Sequence, residues 1–593
     1  MGSGRMIFKY WFKSRNKFLY SAGYQILSTI FALFTPIFIG RMVGGLDQNN
    51  SIPSTSIDLL INFIFILIFA FFSFLTNRAG RIQGAVVASA AAYHLRADIS
   101  NAIYRQSFSY FDKTETGQLV ARATSDVEET QGIFGMGFNL GLQGTIQLVG
   151  VMVASIFLNF QLALIFVTII PISLIASFLL TKKMKPIYFE TRESFGELTN
   201  TIRENIIGAQ VVRMFSNQDK ERQKFYNNNK RFYNASVRTA KLNSLYMPMN
   251  YVIIGFTMIF TLFLGGNLVI QGEMQLGTLV TFQGYIGIMM FPLVMWGQIM
   301  MMYIQANAAL TRIREVIEST PDVKDTPGAI SIESMKGDVK FENVTFGYTS
   351  EHRVLKNITF EIPAGKKLAI IGTTGSGKST IINLLPRFYE INEGMIQIDD
   401  INIKNYLLKD LRKNIGIVSQ ETFLFNRSIA KNIAFGAENA TQEEIESAAK
   451  TANLHDFIMS LPEKYDSIVG ERGTRLSGGQ KQRLSIARAL IVKPKILIFD
   501  DSTSSVDVET EFKIQNALEK IMKGTTTLII TQRISTIRNA NLILVLDKGR
   551  VVGLGTHEQL IELNVLYKQI YETLFQKQKS GTIIKTETVK GGI

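Results

Sequence analysis

The sequence predicts a multi-domain membrane protein, in which an all-α domain of six spanning helices precedes a soluble α/β domain. Nearly all the long apolar runs of the 593-residue chain lie before about Leu310. The later part shows strand-like alternation, as in VKFENVTFGY and KNITFEI, and continuous apolar runs typical of buried strands. We therefore expect a membrane domain at residues 1–320, a linker at 321–337, an α/β domain at 338–575 and a tail at 576–593.

Six segments are mainly apolar over the roughly 20 residues that a spanning helix needs. Among the connections, those at about 78–131 and 182–246 are rich in Lys and Arg, whereas the other three carry neither. Because basic connections tend to stay in the cytoplasm, we expect both termini to be cytoplasmic in a protein of the cell membrane, in contact with its lipids. The six segments lie at about residues 18–44, 57–77, 132–158, 161–181, 247–271 and 276–303.

The two basic connections contain few Gly or Pro residues and continue the helical pattern of the spans. A helix from Asp58 to Phe108 would be about 75 Å long at 1.5 Å per residue, whereas the hydrocarbon core takes only about 30 Å. Both connections are therefore expected to project into the cytosol before they reverse. The reversals are either ordinary surface loops or docking elements for the α/β domain, and we expect docking near Thr114–Ala121 and Val211–Asn217.

Composition excludes several classes of protein. The chain has no cysteine, which rules out disulfides, thiolate metal sites and a cysteine-peptidase module. Its net charge of +14 would suit nucleic acid, but the basic clusters flank apolar runs, so we expect no nucleic-acid partner. The sixth span is rich in methionine, which either packs between helices or lines a cavity for varied apolar ligands. These methionines are Met289, Met290, Met295, Met300, Met301 and Met302.

A glycine-rich segment follows the continuous apolar strand KKLAIIG and precedes the helical run STIINLLPRF. This context fits the strand, G-x-x-x-x-G-K-[ST], helix arrangement, which predicts an α/β P-loop NTPase domain. Backbone N–H groups would close around phosphate, Lys378 would reach the β- and γ-phosphates, and Ser379 would bind Mg²⁺. The predicted phosphate-binding residues are Gly372, Thr373, Thr374, Gly375, Ser376, Gly377, Lys378, Ser379 and Thr380.

Two further segments carry residues suited to nucleotide chemistry. The strand Ile496–Phe499 ends at Asp500, the position from which a carboxylate can hold Mg²⁺ in P-loop NTPases. Between the P-loop and this strand, Ser477-Gly478-Gly479-Gln480 precedes the helical run KQRLSIARAL. A Ser-Gly-Gly turn is often only a helix N-cap, but the N–H groups and dipole of a helix N-terminus also suit a second phosphate.

These motifs together resemble the ATP-binding cassette (ABC) superfamily, whose signature is the LSGGQ that ends at Gln480. The six spans with long cytoplasmic extensions resemble its type IV, or B-type, exporter half-transporters. The resemblance implies ATP and Mg²⁺ as cofactors, with Tyr348 stacking on adenine, Gln420 meeting Mg²⁺ and Asp507 in the D-loop. It also implies two cassettes facing head to tail, so that each ATP lies between one chain's P-loop and the other chain's signature.

The chain departs from this family pattern at two positions. Asp501 follows Asp500 where the family usually has the Glu that positions the attacking water. Its side chain is one methylene shorter, and a misplacement of about 1 Å can cost roughly a hundredfold in rate. Gln532 stands where the family has the switch His, and its amide cannot carry an imidazolium charge. Either these are tolerated replacements, or this chain has a degenerate catalytic site in which Asp501, Gln532 and Lys378 act poorly.

The second alternative is typical of heterodimeric exporters with one weakened site. The partner would then be a second half-transporter with intact catalytic Glu and switch His, and the intact signature here would complete the partner's site. We expect export of amphipathic or apolar small molecules, as in multidrug efflux. Two other readings stay open: a homodimeric exporter of lipids or peptides, and a nucleotide-gated channel or regulatory subunit.

Overall fold

The computed structural model describes residues 3–46, 56–349, 351–437, 439–500 and 524–576. The chain divides into two compact units. The first comprises residues 1–104 and 116–319, and the second comprises residues 105–115 and 320–593. The short segment 105–115 therefore belongs with the C-terminal part of the chain, although the helices on both sides of it belong to the first unit.

Every regular element described in the first unit is a helix. Residues 116–158 run as one helix, in which π-helical turns at Arg122–Asp126 and Ile133–Gly137 separate α5, α6 and α7. The helices are α1 (Ser3–Lys13), α2 (Arg15–Gly44), α3 (Ser56–Tyr104), α5 (Thr116–Ala121), α6 (Val127–Gly132), α7 (Phe138–Leu158), α8 (Phe160–Ile207), α9 (Ala209–Met214), α10 (Gln218–Ile270) and α11 (Leu276–Ile317); α4 (Phe108–Lys113) belongs to the second unit.

Six helices among the described residues are long and apolar enough to cross a membrane, which confirms the prediction of six spans. With 49 residues, α3 is about 74 Å long, far longer than the roughly 30 Å of a hydrocarbon core. Two other helices are similarly long: α8 has 48 residues and α10 has 53. Together they form the second projection. The helices continue beyond the predicted spans because their connections contain few of the Gly and Pro residues that end helices, although α8 accommodates Pro186 within its length.

Small residues bring α2 and α11 into close contact. Gly40 and Gly44 of α2 face Gly277 of α11, and a Cβ atom placed on Gly277 would overlap the carbonyl oxygen of Gly40. One turn further along α11, the Thr281 hydroxyl donates to the carbonyl oxygen of Pro36 at 3.3 Å. Helices in lipid gain little from the hydrophobic effect, so close packing of small residues and hydrogen bonds of this kind hold them together.

Ion pairs join three helices outside the predicted spans. The guanidinium of Arg312 on α11 donates from Nε to Oδ2 of the buried Asp126, at 2.9 Å. Glu129, one turn further along, accepts from Arg192 of α8 at 3.0 Å. Because the Arg312 fork also reaches the second oxygen of Asp126, this contact is bidentate and fixes the orientation of α11 against α6.

The described residues of the second unit form two sheets. One is antiparallel, in the order β2-β1-β4-β5, and the other has the order β10-β9-β3-β8-β7-β6. In the six-stranded sheet β6, β7, β8, β3 and β9 are parallel, and β10 joins as an antiparallel edge. The strands are β1 (Val339–Phe346), β2 (Leu355–Ile362), β3 (Lys367–Gly372), β4 (Glu393–Ile398), β5 (Ile401–Asn402), β6 (Ile415–Val418), β7 (Ile496–Asp500), β8 (Thr526–Ile530), β9 (Leu542–Asp547) and β10 (Arg550–Gly555).

Apolar clusters cover both faces of the six-stranded sheet. This explains why β3, β7 and β8 read as continuous apolar runs, whereas β1 and β2 alternate. The architecture confirms the predicted α/β class. The accompanying helices are α12 (Lys378–Leu384), α13 (Leu408–Lys413), α14 (Ile429–Ile433), α15 (Gln442–Thr451), α16 (His455–Met459), α17 (Gly478–Leu490), α18 (Ile534–Arg538) and α19 (His557–Leu563).

Gly277→Ala is expected to destabilise the membrane domain by about 1–3 kcal/mol, because the added methyl group overlaps backbone that cannot move aside cheaply. Thermal unfolding of the purified protein in detergent would measure this. Gly287→Ala on the same helix is the matched control, since a Cβ atom there meets nothing within 4 Å. Both changes gain the same helix propensity, so an equal effect of the two would contradict the packing argument.

Candidate functional site

Part of the predicted nucleotide site, namely the phosphate loop, Asp500, Gln532 and Gln420, lies at one edge of the six-stranded sheet. Parallel pairing sets Ile370 of β3 beside Ile530 of β8, and Ile530 beside Asp500 of β7. The phosphate loop follows β3 and Gln532 lies two residues beyond β8, so both leave the sheet at the same edge as Asp500. Gln420 lies two residues beyond β6. The last residue of β6, Val418, pairs with Phe499 of the parallel strand β7, so Gln420 leaves the sheet at the same edge. Ligand sites of open α/β sheets lie at this edge.

The loop between β3 and α12 has a backbone that suits phosphate. Gly375 and Gly377 have φ angles of 78° and 100°, in the left-handed region that favours glycine. A side chain at Gly377 would also meet Leu355. The hydroxyl of Ser376 is buried, and it has no hydrogen-bond partner among the described residues. A cradle of this shape that ends at a helix N-terminus fits a phosphate group.

Lys378 begins α12 and folds back over the loop. Its ammonium group donates to the carbonyl oxygens of Gly372 at 3.0 Å and Thr373 at 2.8 Å. Burial lowers the pKa of Lys378, and the negative charge of Asp500 acts in the opposite direction. Lys378 and Asp500 therefore lie close enough to interact electrostatically, as expected of a lysine for phosphate and a carboxylate for Mg²⁺. Ser379, the other predicted metal ligand, is the next residue of α12 and is exposed.

Tyr348 lies beside this loop. Its hydroxyl is 3.2 Å from the hydroxyl of Thr380 on α12. Its ring meets Phe346 and Tyr389 edge-on, at 5.1 Å and 5.2 Å between ring centroids. With 43% of the residue exposed, the ring remains available for a planar ligand. The position beside Thr380 is compatible with the predicted stacking of adenine on Tyr348.

The predicted signature motif forms the N-terminus of α17. Ser477 is the N-cap, with its hydroxyl accepting from the backbone N–H of Gln480, while the Gln480 side chain accepts from the N–H of Ser477 at 2.8 Å. The prediction that this turn is a helix N-cap is therefore confirmed. Because α17 has 13 residues and begins at Gly478, the positive end of its dipole lies at Gly478 and Gly479. This helix packs against α14 and α15, whereas α12 packs against β3 and β8.

Two predicted residues, Asp501 and Asp507, lie outside the described residues. Asp501 directly follows Asp500 in the sequence, at the end of β7. Gln532 is described and makes an interaction. Because β7 and β8 are neighbours, the two departures from the family pattern follow adjacent parallel strands.

One contact surface of the second unit was not predicted in detail. The helix α4 packs on this unit through the ring of Phe108, which stacks on Phe388 at 4.1 Å between centroids. The docked segment is thus Phe108–Lys113, a few residues before the expected Thr114–Ala121, and α5 belongs to the first unit. The aromatic residues Phe108, Tyr110 and Phe111 in an otherwise polar connection were the available sequence signal.

Family models match both parts of the chain: "ABC transporter transmembrane region" matches residues 18–293 and "ABC transporter" matches residues 355–504. The chain is 39% identical to the uncharacterized ABC transporter ATP-binding protein YknU of Bacillus subtilis. The matched region covers 82% of this chain and 84% of the relative. It is 36% identical to an ATP-dependent lipid A-core flippase of Syntrophus aciditrophicus, with 84% of this chain and 83% of that one covered.

Another relative and one solved structure are also similar to this chain. A putative multidrug export ATP-binding/permease protein of Bacillus subtilis, YgaD, is 34% identical over 82% of this chain and 84% of its own. The solved structure of a bacterial Atm1-family ABC exporter with ATP bound superposes with a TM-score of 0.82 at 27% identity, and covers 94% of this chain and 98% of that chain.

Lys378→Met is expected to weaken ATP binding to the purified chain by about tenfold or more, because it removes a charge-assisted contact to phosphate. Equilibrium binding of a fluorescent ATP analogue would measure the change. The control Lys366→Met removes an exposed lysine immediately before β3, at the end of that strand away from the phosphate loop, and should leave affinity unchanged. Equal affinity of the Lys378→Met protein and the unaltered protein would contradict the assignment of this loop to phosphate.

Proposed function

The chain belongs to the ABC transporters, as an exporter with a membrane domain fused to its nucleotide-binding domain, and from that premise we propose that it is the degenerate-site subunit of a heterodimer. Its own P-loop would bind ATP but hydrolyse it slowly. Its signature motif would complete the fast site of a partner half-transporter. Hydrolysis there would drive outward movement of an amphipathic or apolar compound across the cell membrane, with both termini of the chain in the cytoplasm.

The observation that carries this proposal is the combination of two altered residues with an otherwise complete set of motifs. Asp501 and Gln532 follow adjacent parallel strands, so both would face the same terminal phosphate. A shortened carboxylate would place the attacking water poorly, and an amide would supply no positive charge. The two changes thus weaken the same chemical step and leave binding intact.

Nucleotide binding would use the remaining residues of the site. Tyr348 would stack on adenine, the loop N–H groups and Lys378 would hold the phosphates, and Ser379, Asp500 and Gln420 would hold Mg²⁺. When bound, Mg²⁺ neutralises charge that develops on the phosphates. The cradle of left-handed glycines and the buried Ser376 hydroxyl fit this assignment.

The intact signature supports a role in the partner's site. Ser477 and Gln480 already form a capping box, so the N-terminus of α17 is held in one conformation before any ligand arrives. A preformed helix end binds phosphate without an ordering cost. In the head-to-tail pair implied by the family, Ser477, Gly478 and Gly479 would contact the terminal phosphate of ATP on the partner's P-loop.

The tip of the second projection supports assembly with another chain. Around α9, five large apolar side chains are between 57% and 80% exposed. So much exposed apolar surface at one tip is unusual for a free protein surface. We propose that the partner's cassette covers it, so that cassette movement reaches α8 and α10. The five residues are Ile206, Ile207, Val211, Met214 and Phe215.

The cavities of the membrane domain favour an apolar or amphipathic cargo. One of about 510 Å³ is lined by four methionines, Met136, Met184, Met301 and Met302, together with polar side chains. A second, of about 1260 Å³, is lined by both apolar and charged side chains, the apolar ones including Phe189, Phe195, Phe232 and Met301 and the charged ones being Lys185, Arg192, Glu193 and Arg312. Flexible, polarizable methionine suits ligands of varied shape. Met289, in contrast, is 2% exposed and packs in the core. Some methionines of α11 therefore pack between helices, whereas others, such as Met301 and Met302, line a cavity.

A second candidate is a homodimeric lipid exporter with two slow sites. The similarity to a lipid A-core flippase favours it, as do the apolar side chains that both cavities combine with polar ones. ATP hydrolysis by the chain purified without a partner separates the candidates. A heterodimer subunit alone should be nearly inactive, whereas a homodimer should hydrolyse ATP faster when lipid is added.

Restoring the usual residues should restore hydrolysis at this chain's own site. The double variant Asp501→Glu with Gln532→His, in the complex with its partner, is expected to raise ATP turnover at this site by about 10- to 100-fold, because the carboxylate then reaches the attacking water. Turnover is measured with the partner's own catalytic Glu changed to Gln, which silences the other site. Adding Asp500→Asn should abolish the gain. No increase in turnover would contradict a degenerate site.

Ser477→Asp is expected to reduce ATP turnover of the complex at least about tenfold. Aspartate is a good N-cap, so α17 stays folded, but its charge repels the partner-bound phosphate. Thr556→Asp makes the same exchange in the capping box at the start of α19 and should leave turnover unchanged. Steady-state phosphate release measures both variants. Equal turnover of the Ser477→Asp complex and the unaltered complex would show that the signature serves no active site.

A further inference from the structure

The helix α4 is held on the second unit by polar contacts as well as by the stacking of Phe108. The hydroxyl of Tyr389 donates to Oδ2 of Asp112 at 2.8 Å. The hydroxyl of Ser109 donates to Oδ2 of Asp322 at 2.6 Å. These contacts lie at opposite ends of α4, so together they fix both its position and its rotation.

Tyr389 also contacts the residue assigned to adenine. Its ring meets the ring of Tyr348 at 5.2 Å between centroids, with an interplanar angle of 90°. Such edge-to-face pairs have a preferred geometry, so the orientation of one ring restrains the other. Burial and the neighbouring Asp112 carboxylate raise the pKa of the Tyr389 hydroxyl, which therefore remains a hydrogen-bond donor throughout the physiological pH range.

A cavity of about 650 Å³ lies beside these rings, and both tyrosines and Asp112 line it. The cavity leaves open space beside both rings. Tyr348 is also held by its contacts with Phe346 and Thr380. The three side chains Tyr348, Tyr389 and Asp112 therefore form a short chain of contacts that starts at the base-stacking residue and ends on α4.

We propose that Tyr389 is a positioning residue that couples base stacking on Tyr348 to the docking of α4. Stacking of adenine fixes the Tyr348 ring, the Tyr348 ring fixes Tyr389, and Tyr389 then holds Asp112. Since α4 continues along the chain into α3 and α5, the occupancy of this chain's base site would act on two helices of the membrane domain. The inference rests on ATP binding in the proposed function, but not on slow hydrolysis or on heterodimer formation.

Linkage makes the proposal testable. If docked α4 favours the orientation of Tyr348 that stacks on adenine, bound ATP must favour docked α4 by the same factor. The chain has no cysteine, so Ser109→Cys introduces its single thiol. The rate of alkylation of this thiol by a maleimide, in the full-length chain in detergent, reports how often α4 leaves its docked position.

ATP with Mg²⁺ is expected to slow alkylation by about three- to tenfold, the range for one hydrogen bond. Tripolyphosphate, which lacks a base, should have little effect. Adding Tyr389→Phe should abolish the effect of ATP, because the ring remains against Tyr348 but loses Asp112. Asp112→Asn keeps an acceptor oxygen and should retain the effect, whereas Asp112→Ala should lose it.

The matched control is Tyr406→Phe, which also removes a tyrosine hydroxyl bond, in this case to the carbonyl oxygen of Ile398 at 3.0 Å. It should retain the effect of ATP. The proposal is overturned if ATP does not slow alkylation of the bound protein, if tripolyphosphate slows it equally, or if Tyr389→Phe and Tyr406→Phe behave alike. ATP binding measured in the same samples separates these results from failure of the proposed function, in which ATP would not bind at all.

Discussion

The parallel pairing of β3, β8 and β7 is the constraint on which the nucleotide site depends. Because these strands run in the same direction, the phosphate loop, Gln532 and Asp500 leave the sheet at one edge. The apolar clusters on both faces hold that edge rigid. Left-handed glycines then turn the backbone back towards α12, and Lys378 closes over the loop. In the proposed function, the replacements at Asp501 and Gln532 would therefore affect one chemical step, because the two residues follow neighbouring strands of this sheet.

The membrane half obeys a different constraint. Backbone groups in lipid must be satisfied within the chain, so each crossing is a helix, and the described helices continue well beyond the length of a bilayer. In the proposed function, this continuity would let the helices transmit movement between the bilayer and the cytosol. Docking of α4 on the nucleotide-binding unit and the exposed apolar tip around α9 are the two ends at which these helices would be moved.

The six spans and the P-loop could be predicted from sequence because each depends on a local pattern, namely a long apolar run or a glycine-rich turn after a buried strand. The docking of α4 could not be located to the residue, since it depends on where Phe388 and Asp322 lie in the folded unit. The close approach of Gly40 and Gly277 also joins residues distant in sequence. Similarly, the roles of Met289 and Met301 differ although their local sequence is alike, because one faces the core and the other a cavity.

In the proposed heterodimer, this chain's P-loop retains ATP while the partner's P-loop hydrolyses it. Photo-crosslinking of a radioactive azido-ATP in the working complex, with vanadate added to trap the product, tests it most directly, because each chain can then be separated and its nucleotide identified. The claim predicts triphosphate on this chain and trapped diphosphate on the partner. Diphosphate trapped equally on both chains, or on this chain alone, would contradict it.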